Sequence, residues 1–370
     1  MKRLLRILLP ATAALTLGSC SLLQSAVGEV VSSPSMQQAL AGTLTSPEAK
    51  AFKATLDRCE NLQKLPITLK EELAFGGAMA VGVARQGSGL YLDVKGSLDD
   101  VPKGKKLTVA ATPANDLTRY LDVVGKNLAA QSSRPTLPWT LAVINSDSLN
   151  AFSAPGGYVF VTRGLLRKMK TEAQLAGVLA HEIGHVTQGH ALGSYRATKA
   201  TQCKLGAVKD AVAKGLGDVV KLLAASLMAQ AEQLSPNAAG ALRAMADEKN
   251  ATGFIDLDNA QNFEALRVLV DATINTVVSQ GYGRESEFSA DTEAQALLVN
   301  AGYNPNEYIA FLSNLPDGGL FSTHPSAQER QKLLQDQLRD LPGSELRDPS
   351  HPFDTYAVVP LKNELAAAAK

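Results

Sequence analysis

The chain has 370 residues, with 36 Lys and Arg against 36 Asp and Glu; 45% are apolar and 19% charged. That balance fits a globular protein with a sizeable core and excludes a polar disordered chain. It also argues against nucleic acid as a partner, because phosphate binding leaves a basic footprint that these totals lack. With five His and three Cys, the positions of those eight residues carry most of the functional information.

The N-terminus reads MKRLLRILLPATAALTLGSC. Lys2, Arg3 and Arg6 precede an uncharged, mostly apolar run from Ile7 to Leu17. This is the layout of a secretory signal over residues 1–19. A membrane-spanning helix needs about 20 apolar residues; this run is shorter and carries Pro10. Leu17-Gly18-Ser19-Cys20 resembles the lipobox of bacterial lipoproteins, which implies that Cys20 carries the lipid. Two acyl chains anchor a protein without a spanning helix. Ordinary cleavage near Ser19, beside an incidental Cys, is the alternative. Ser21, not Asp, follows the Cys, and the same resemblance then implies the outer membrane, with the chain facing the periplasm.

Residues 20–65 read as a lipid-anchored tether and N-terminal segment, with short helical patterns from Ser46 to about Glu72, broken at Pro66. Residues 86–113 are rich in Gly and Pro and predict loops with a hairpin. Leu117, Tyr120, Leu121, Val124 and Leu128 form a helical stripe. Trp139–Ile144 and Tyr158–Thr162 read as strands around the turn Pro155-Gly156-Gly157. Thr171 to Gln174 form a capping box that predicts a helix running past His190. Lys204 to about Gln230 predicts a further amphipathic helix, with Leu205, Val208, Val212 and Leu216 on a core-facing stripe. Phe263–Val278 is another helical stretch, and a helix from Gly283 to Ala301 stops at Gly302. Phe353–Pro360 reads as a late strand in a C-terminal tail over 346–370.

Residues 181–190 read HEIGHVTQGH. His181 and His185, four apart on a helix, lie on one face and can bind one tetrahedral metal ion. Glu182 is displaced around the helix and can reach a water at that metal. This is the zincin motif. A third protein ligand is required. His190 does not fall on a metzincin position and reads as a surface residue or a partner of a ligand. In RESEFSAD, residues 284–291, Glu287 and Asp291 share a helical face. Glu287 is the candidate third ligand, with Glu285 its rival on spacing. Asp291 suits a hydrogen bond to the outer N–H of a ligating His.

The combination of HEIGH with EFSAD resembles zinc metallopeptidase family forty-eight, the gluzincins of HtpX and CAAX prenyl protease type, and within it the bacterial periplasmic lipoprotein branch. NAFSAPGGYVFVTRGLL at 150–166 and STHPSAQER at 322–330 agree with it. The likeness covers roughly residues 66–335. It implies one Zn²⁺ per chain on His181, His185 and Glu287, with Glu182 as catalytic base. It implies that Asn150, Ala151 and Phe152 hold an extended substrate by backbone pairing. It brings His324 to the cleft as a catalytic group that stabilises the oxyanion, or as a cap that silences the metal. Arg330 is a candidate partner for an acid near the site.

The reading is a mainly helical α+β zincin-like domain over residues 66–345, with a small antiparallel sheet and an active-site helix. Its expected activity is endoproteolysis of unfolded or misassembled envelope proteins, with the membrane reached through the N-terminal lipid and envelope assembly machinery as a further partner. A chaperone or assembly factor on a zincin scaffold, and a zinc aminopeptidase, are the alternatives. In the periplasm Cys59 and Cys203 can form a disulfide or stand as two buried thiols.

Overall fold

The computed structural model describes residues 46–86, 88–95, 108–109, 111–217, 220, 266, 269–274, 277, 281–315 and 326–340. Cys20, His324 and the strand predicted over Phe353–Pro360 lie outside the described residues. Helix α1 (Pro47–Asn61) starts where the Ser46 side chain accepts the Ala49 N–H. After a short 3-10 turn and Pro66 comes α2 (Leu69–Gln86). The sequence shows only short helical patterns ending near Glu72. Three glycines weaken the helical signal beyond it, yet the helix persists because Phe75, Met79 and Val83 are buried.

β1 (Val94–Lys95) and β2 (Thr108–Val109) pair antiparallel, as a hairpin requires. Helix α3 (Pro113–Ala129), capped by Thr112, buries Leu117, Leu121, Val124 and Leu128 of the predicted stripe. β3 (Thr140–Ile144), β4 (Ala151–Ala154) and β5 (Tyr158–Thr162) form one sheet in the order β3-β5-β4. The sequence predicts an antiparallel sheet; the observed sheet is mixed, with β3 parallel to β5 and β4 antiparallel to it. The reason is topological. β5 inserts between its two predecessors, and two chain reversals return it to the direction of β3.

Both faces of the sheet are covered, so the strands are apolar on both sides. Leu141, Val143, Val159 and Val161 join the α3 stripe in one core cluster. Ala142, Ile144 and Phe160 join Phe75 and Met79 of α2 in the other. A short α4 (Arg163–Leu166) leads to α5 (Glu172–Thr187). Thr171 caps α5 by accepting the Gln174 N–H, and the Gln174 side chain reaches back to the Lys170 N–H.

Helix α5 does not continue past His190. It ends at Thr187, Gly189 takes φ +69, and α6 (His190–Ala213) begins afresh. Glycine reaches that left-handed conformation without a Cβ clash. Lys204 is therefore interior to α6 and does not start a helix of its own; Gly215, at φ +82, follows the helix end. Leu205 and Val208 pack against Phe52 of α1, the core-facing reading, while Val212 is exposed. Of the stretch Phe263–Val278, residues 266, 269–274 and 277 are described and helical, and Leu269 and Ile274 enter the second cluster. Helix α7 (Arg284–Asn300) lies between Gly283 and Ala301, with Gly302 at φ +81 beyond it, as the stop signal predicts. α8 (Pro305–Ser313) and α9 (Ala327–Asp340) complete the described fold. No helix among the described residues is long and apolar enough to cross a membrane.

Cys59 of α1 and Cys203 of α6 are disulfide-bonded, with Cα atoms 5.5 Å apart across 144 residues of sequence. Closing so long a loop restricts the unfolded chain and contributes about 2–5 kcal/mol. A Cys59→Ser, Cys203→Ser double variant is expected to lose that much stability in equilibrium urea unfolding. An unchanged midpoint would remove the bridge from the account of stability.

Candidate metal centre

Helix α5 is buried along nearly its whole length, from Ala173 to Val186. Its two histidines, one turn apart, therefore project into the protein. Their rings meet edge to face with centroids 4.6 Å apart. Helix α7 packs against α5 and brings Glu287 to the same point. His181 Nε2 and His185 Nε2 are 3.1 Å apart. The Glu287 carboxylate oxygens lie 3.4 Å from the first and 3.6 Å from the second. Glu285, the rival on spacing, is exposed, whereas Glu287 is fully buried.

These three groups can hold a cation. Ligand bonds of about 2.0–2.1 Å in a tetrahedron separate the ligand atoms by roughly 3.3–3.4 Å. The observed spacings straddle that value, and the donor set is two imidazoles and one carboxylate. The residues present fit a divalent metal ion of the zinc type. Glu182 is buried on the same helix, one residue beyond His181.

A second layer holds His181. Its Nδ1 lies 2.9 Å from Asp291 Oδ1. Asp291 in turn accepts from Arg330 Nε at 2.8 Å and Nη2 at 2.7 Å, and from the Tyr308 hydroxyl at 3.1 Å. Arg330 Nη2 also donates to the Tyr308 oxygen at 2.7 Å. Arg330 on α9, Asp291 on α7 and Tyr308 on α8 thus close over one ligand of α5. Burial opposes ionisation of Asp291, but the Arg330 charge and hydrogen bonds, with His181, hold its carboxyl well below the usual carboxylate range. Burial and the Arg330 charge depress the His181 imidazole, yet Asp291 and Glu287 outweigh them and lift the metal-free ring to about 9.

His185 has different company. The Tyr282 ring stacks on it, centroids 4.3 Å apart, and His190 meets it on the Nδ1 side. Burial raises the Tyr282 hydroxyl well above its ordinary value, and the charges of Glu182 and Glu287 add to the effect. Burial likewise lowers the His190 imidazole, with Glu287 opposing and His181 reinforcing the shift.

Of the predicted substrate residues, Ala151 and Phe152 belong to β4, one of the two outer strands of the sheet. Asn150 is turned toward β5: its N–H donates to Thr162 Oγ1 and its carbonyl accepts the Thr162 N–H. Strand alternation then directs the main-chain groups of Ala151 and Ser153 outward. Sequence reasoning missed Tyr308 and Tyr282. No spacing signal links them to the motifs, because both arrive through the packing of separate elements.

The model of Peptidase family M48 matches residues 115–338, more than half of the chain. The chain belongs to peptidase family M48. Among M48 relatives, it is similar to the beta-barrel assembly-enhancing protease of Escherichia coli K12, 40% identical over 88 residues, 23% of this chain and 18% of that protein. It is similar to the mitochondrial metalloendopeptidase OMA1 of Schizosaccharomyces pombe, 42% identical over 86 residues, 23% of this chain and 26% of that protein. It is also similar to the metalloprotease YcaL of Escherichia coli K12, 26% identical over 207 residues, 54% of this chain and 63% of that protein. The matches span less than two thirds of each of these relatives. Membership of the M48 family implies a divalent metal, and His181, His185 and Glu287 all fall inside the matched segment.

The Asp291 charge contributes stability above about pH 4, and that contribution is lost as pH falls toward its depressed value. Arg330→Met leaves the buried carboxylate without its main partner. The variant is expected to lose about 3–5 kcal/mol at pH 7 in urea unfolding of metal-free protein. The deficit should narrow below about pH 4, where Asp291 takes up a proton. Equal stability at pH 7 would contradict the ion pair.

Proposed function

We propose that this chain is a zinc-dependent endopeptidase acting on unfolded or misassembled envelope proteins. The observation that carries the reading is the convergence of His181, His185 and Glu287 on one point, with Glu182 on the same helix. When bound, zinc supplies Lewis acidity and lowers the pKa of a water to about 7. Glu182 takes the proton of the attacking water and returns it to the leaving amine. Asp291, tied to Arg330 and Tyr308, keeps the His181 ring oriented through Nδ1. The outward groups of Ala151 and Ser153 on β4 pair with an extended peptide. His324 serves as the oxyanion partner or as a cap on the metal.

The address we propose is the outer membrane, lipid-anchored through Cys20 and facing the periplasm. The signal-like residues 1–19 and the Cys59–Cys203 bridge support it, since disulfides persist in oxidising compartments. The name of the Escherichia coli relative couples proteolysis with β-barrel assembly. That supports envelope proteins as the substrate class and their assembly machinery as a partner.

Metal analysis coupled to casein cleavage tests the chemistry. Wild type is expected to carry about one zinc per chain, the stoichiometry of a single catalytic site. Glu182→Gln should keep the zinc while kcat falls by about 10²–10⁴-fold. His181→Ala should lose the zinc itself. Full cleavage by purified Glu182→Gln would sink the assignment. For the address, a Cys20→Ala chain should appear in the soluble periplasmic fraction. Retention of that variant in the outer membrane would remove the lipid anchor.

A further inference from the structure

His190 belongs to neither metal motif, yet it touches a ligand. Its Nδ1 lies 2.8 Å from His185 Nδ1, and its Nε2 lies 3.2 Å from Ser289 Oγ. The Ser289 hydroxyl lies 3.1 Å from the Ser286 carbonyl. A carbonyl only accepts, so the hydroxyl donates its single proton there. Ser289 Oγ must then accept from His190 Nε2–H. A neutral imidazole carries one N–H, so His190 Nδ1 is an acceptor and His185 Nδ1–H donates to it. That leaves the His185 Nε2 lone pair aimed at the space shared with His181 Nε2 and Glu287. One backbone carbonyl on α7, with His190 neutral, thereby assigns every proton in the chain.

We propose that His190 is a positioning residue for His185, holding that ring in its Nδ1–H form and presenting its Nε2 to the metal. The proposal rests on the metal-centre reading above and goes beyond it. The two ligands are supported by different chemistry. His181 leans on a carboxylate clamped by Arg330, whereas His185 leans on a neutral imidazole backed by a hydroxyl. The helix break makes the contact available. In an unbroken α-helix a residue five places on lies roughly 140° around the axis and about 7.5 Å along it. With Gly189 at φ +69, the chain turns and α6 starts with the His190 ring against His185, centroids 4.9 Å apart. Tyr282 stacks on the His185 face, so face and edge are both held.

Two substitutions separate the hydrogen bond from the bulk of the ring. His190→Phe keeps an aromatic ring but has no acceptor. His190→Asn places a carbonyl oxygen near the position of Nδ1. Zinc affinity is read on the full chain by competition with a chromogenic chelator, and metal-free melting is followed by circular dichroism. His190→Phe is expected to weaken zinc by about 10–100-fold with metal-free melting unchanged, while His190→Asn stays within about threefold of wild type. The visible spectrum of the cobalt-substituted protein should shift in the Phe variant and not in the Asn variant. Wild-type affinity in His190→Phe overturns the proposal, as does equal loss in both variants.

A measurement on the unaltered protein stands apart from the folding of any variant. With five His in the chain, nitrogen-15 NMR of histidine-labelled, zinc-loaded protein can assign each ring. His190 is expected to be protonated on Nε2 and bare on Nδ1. A proton on its Nδ1 reverses the chain and overturns the proposal. A wild type that takes up no zinc refutes the metal-centre reading and this proposal with it; a zinc-binding wild type beside an indifferent Phe variant refutes only the role of His190.

Discussion

The close approach of α5 and α7 is the constraint on which the rest of the molecule depends. At Gly184, inside HEIGH, an added Cβ would sit 3.0 Å from the Ala290 carbonyl oxygen and 3.2 Å from the Ala290 Cα. Side-chain size at a helix contact sets the distance between the axes. A hydrogen at 184 lets the backbone of α7 come near enough for the Glu287 carboxylate to meet two imidazoles on α5. A larger residue there would move the third ligand away without touching any ligand. The fourth letter of the motif is as much a part of the metal geometry as its two histidines.

That approach also buries charge. His181, Glu287, Asp291 and Arg330 are all nearly inaccessible, and isolated charges in such a place are costly. The arrangement offsets the cost by pairing each group with others from a different element. Buried ion pairs of this kind add little net stability over apolar packing. Here their effect is geometric: α5, α7, α8 and α9 must all be in place before His181 is held. The N-terminal elements are pegged in a comparable way. Lys199 and Tyr195 of α6 both reach Glu71 of α2, at 2.6 and 2.7 Å, and Arg134 grips Glu72 with two hydrogen bonds. Both clasps end on α2, which covers one face of the sheet, and the edge strand β4 lies beside the active-site helix.

Much of the site was legible because it is local. Four-residue spacing places His181 with His185, and Glu287 with Asp291, on single faces. The capping signals at Thr171 and Gly302 bounded their helices. Other features escaped because they depend on what lies across the fold. Residues 73–86 look like a poor helix until the partners that bury Phe75 and Met79 are known. The parallel pairing of β3 with β5 follows from an insertion that hydrophobic pattern does not encode. The Gly189 break was hidden because one glycine inside an apolar helical pattern reads as tolerated. That break turned His190 from an unassigned histidine into a neighbour of a ligand.

The sequence by itself determined the chemistry available: two imidazoles one turn apart, a carboxylate pair one turn apart and two cysteines that can bridge. These are properties of spacing along a helix or of residue type, and the local period carries them. Only the tertiary structure decided which acid meets the histidines, which groups orient them and which cysteines lie within bonding distance. Those choices depend on distances between elements as much as 149 residues apart in the chain. Such distances are set by packing, by the absence of a single side chain at 184 and by a left-handed turn at 189. No periodicity along the chain records them.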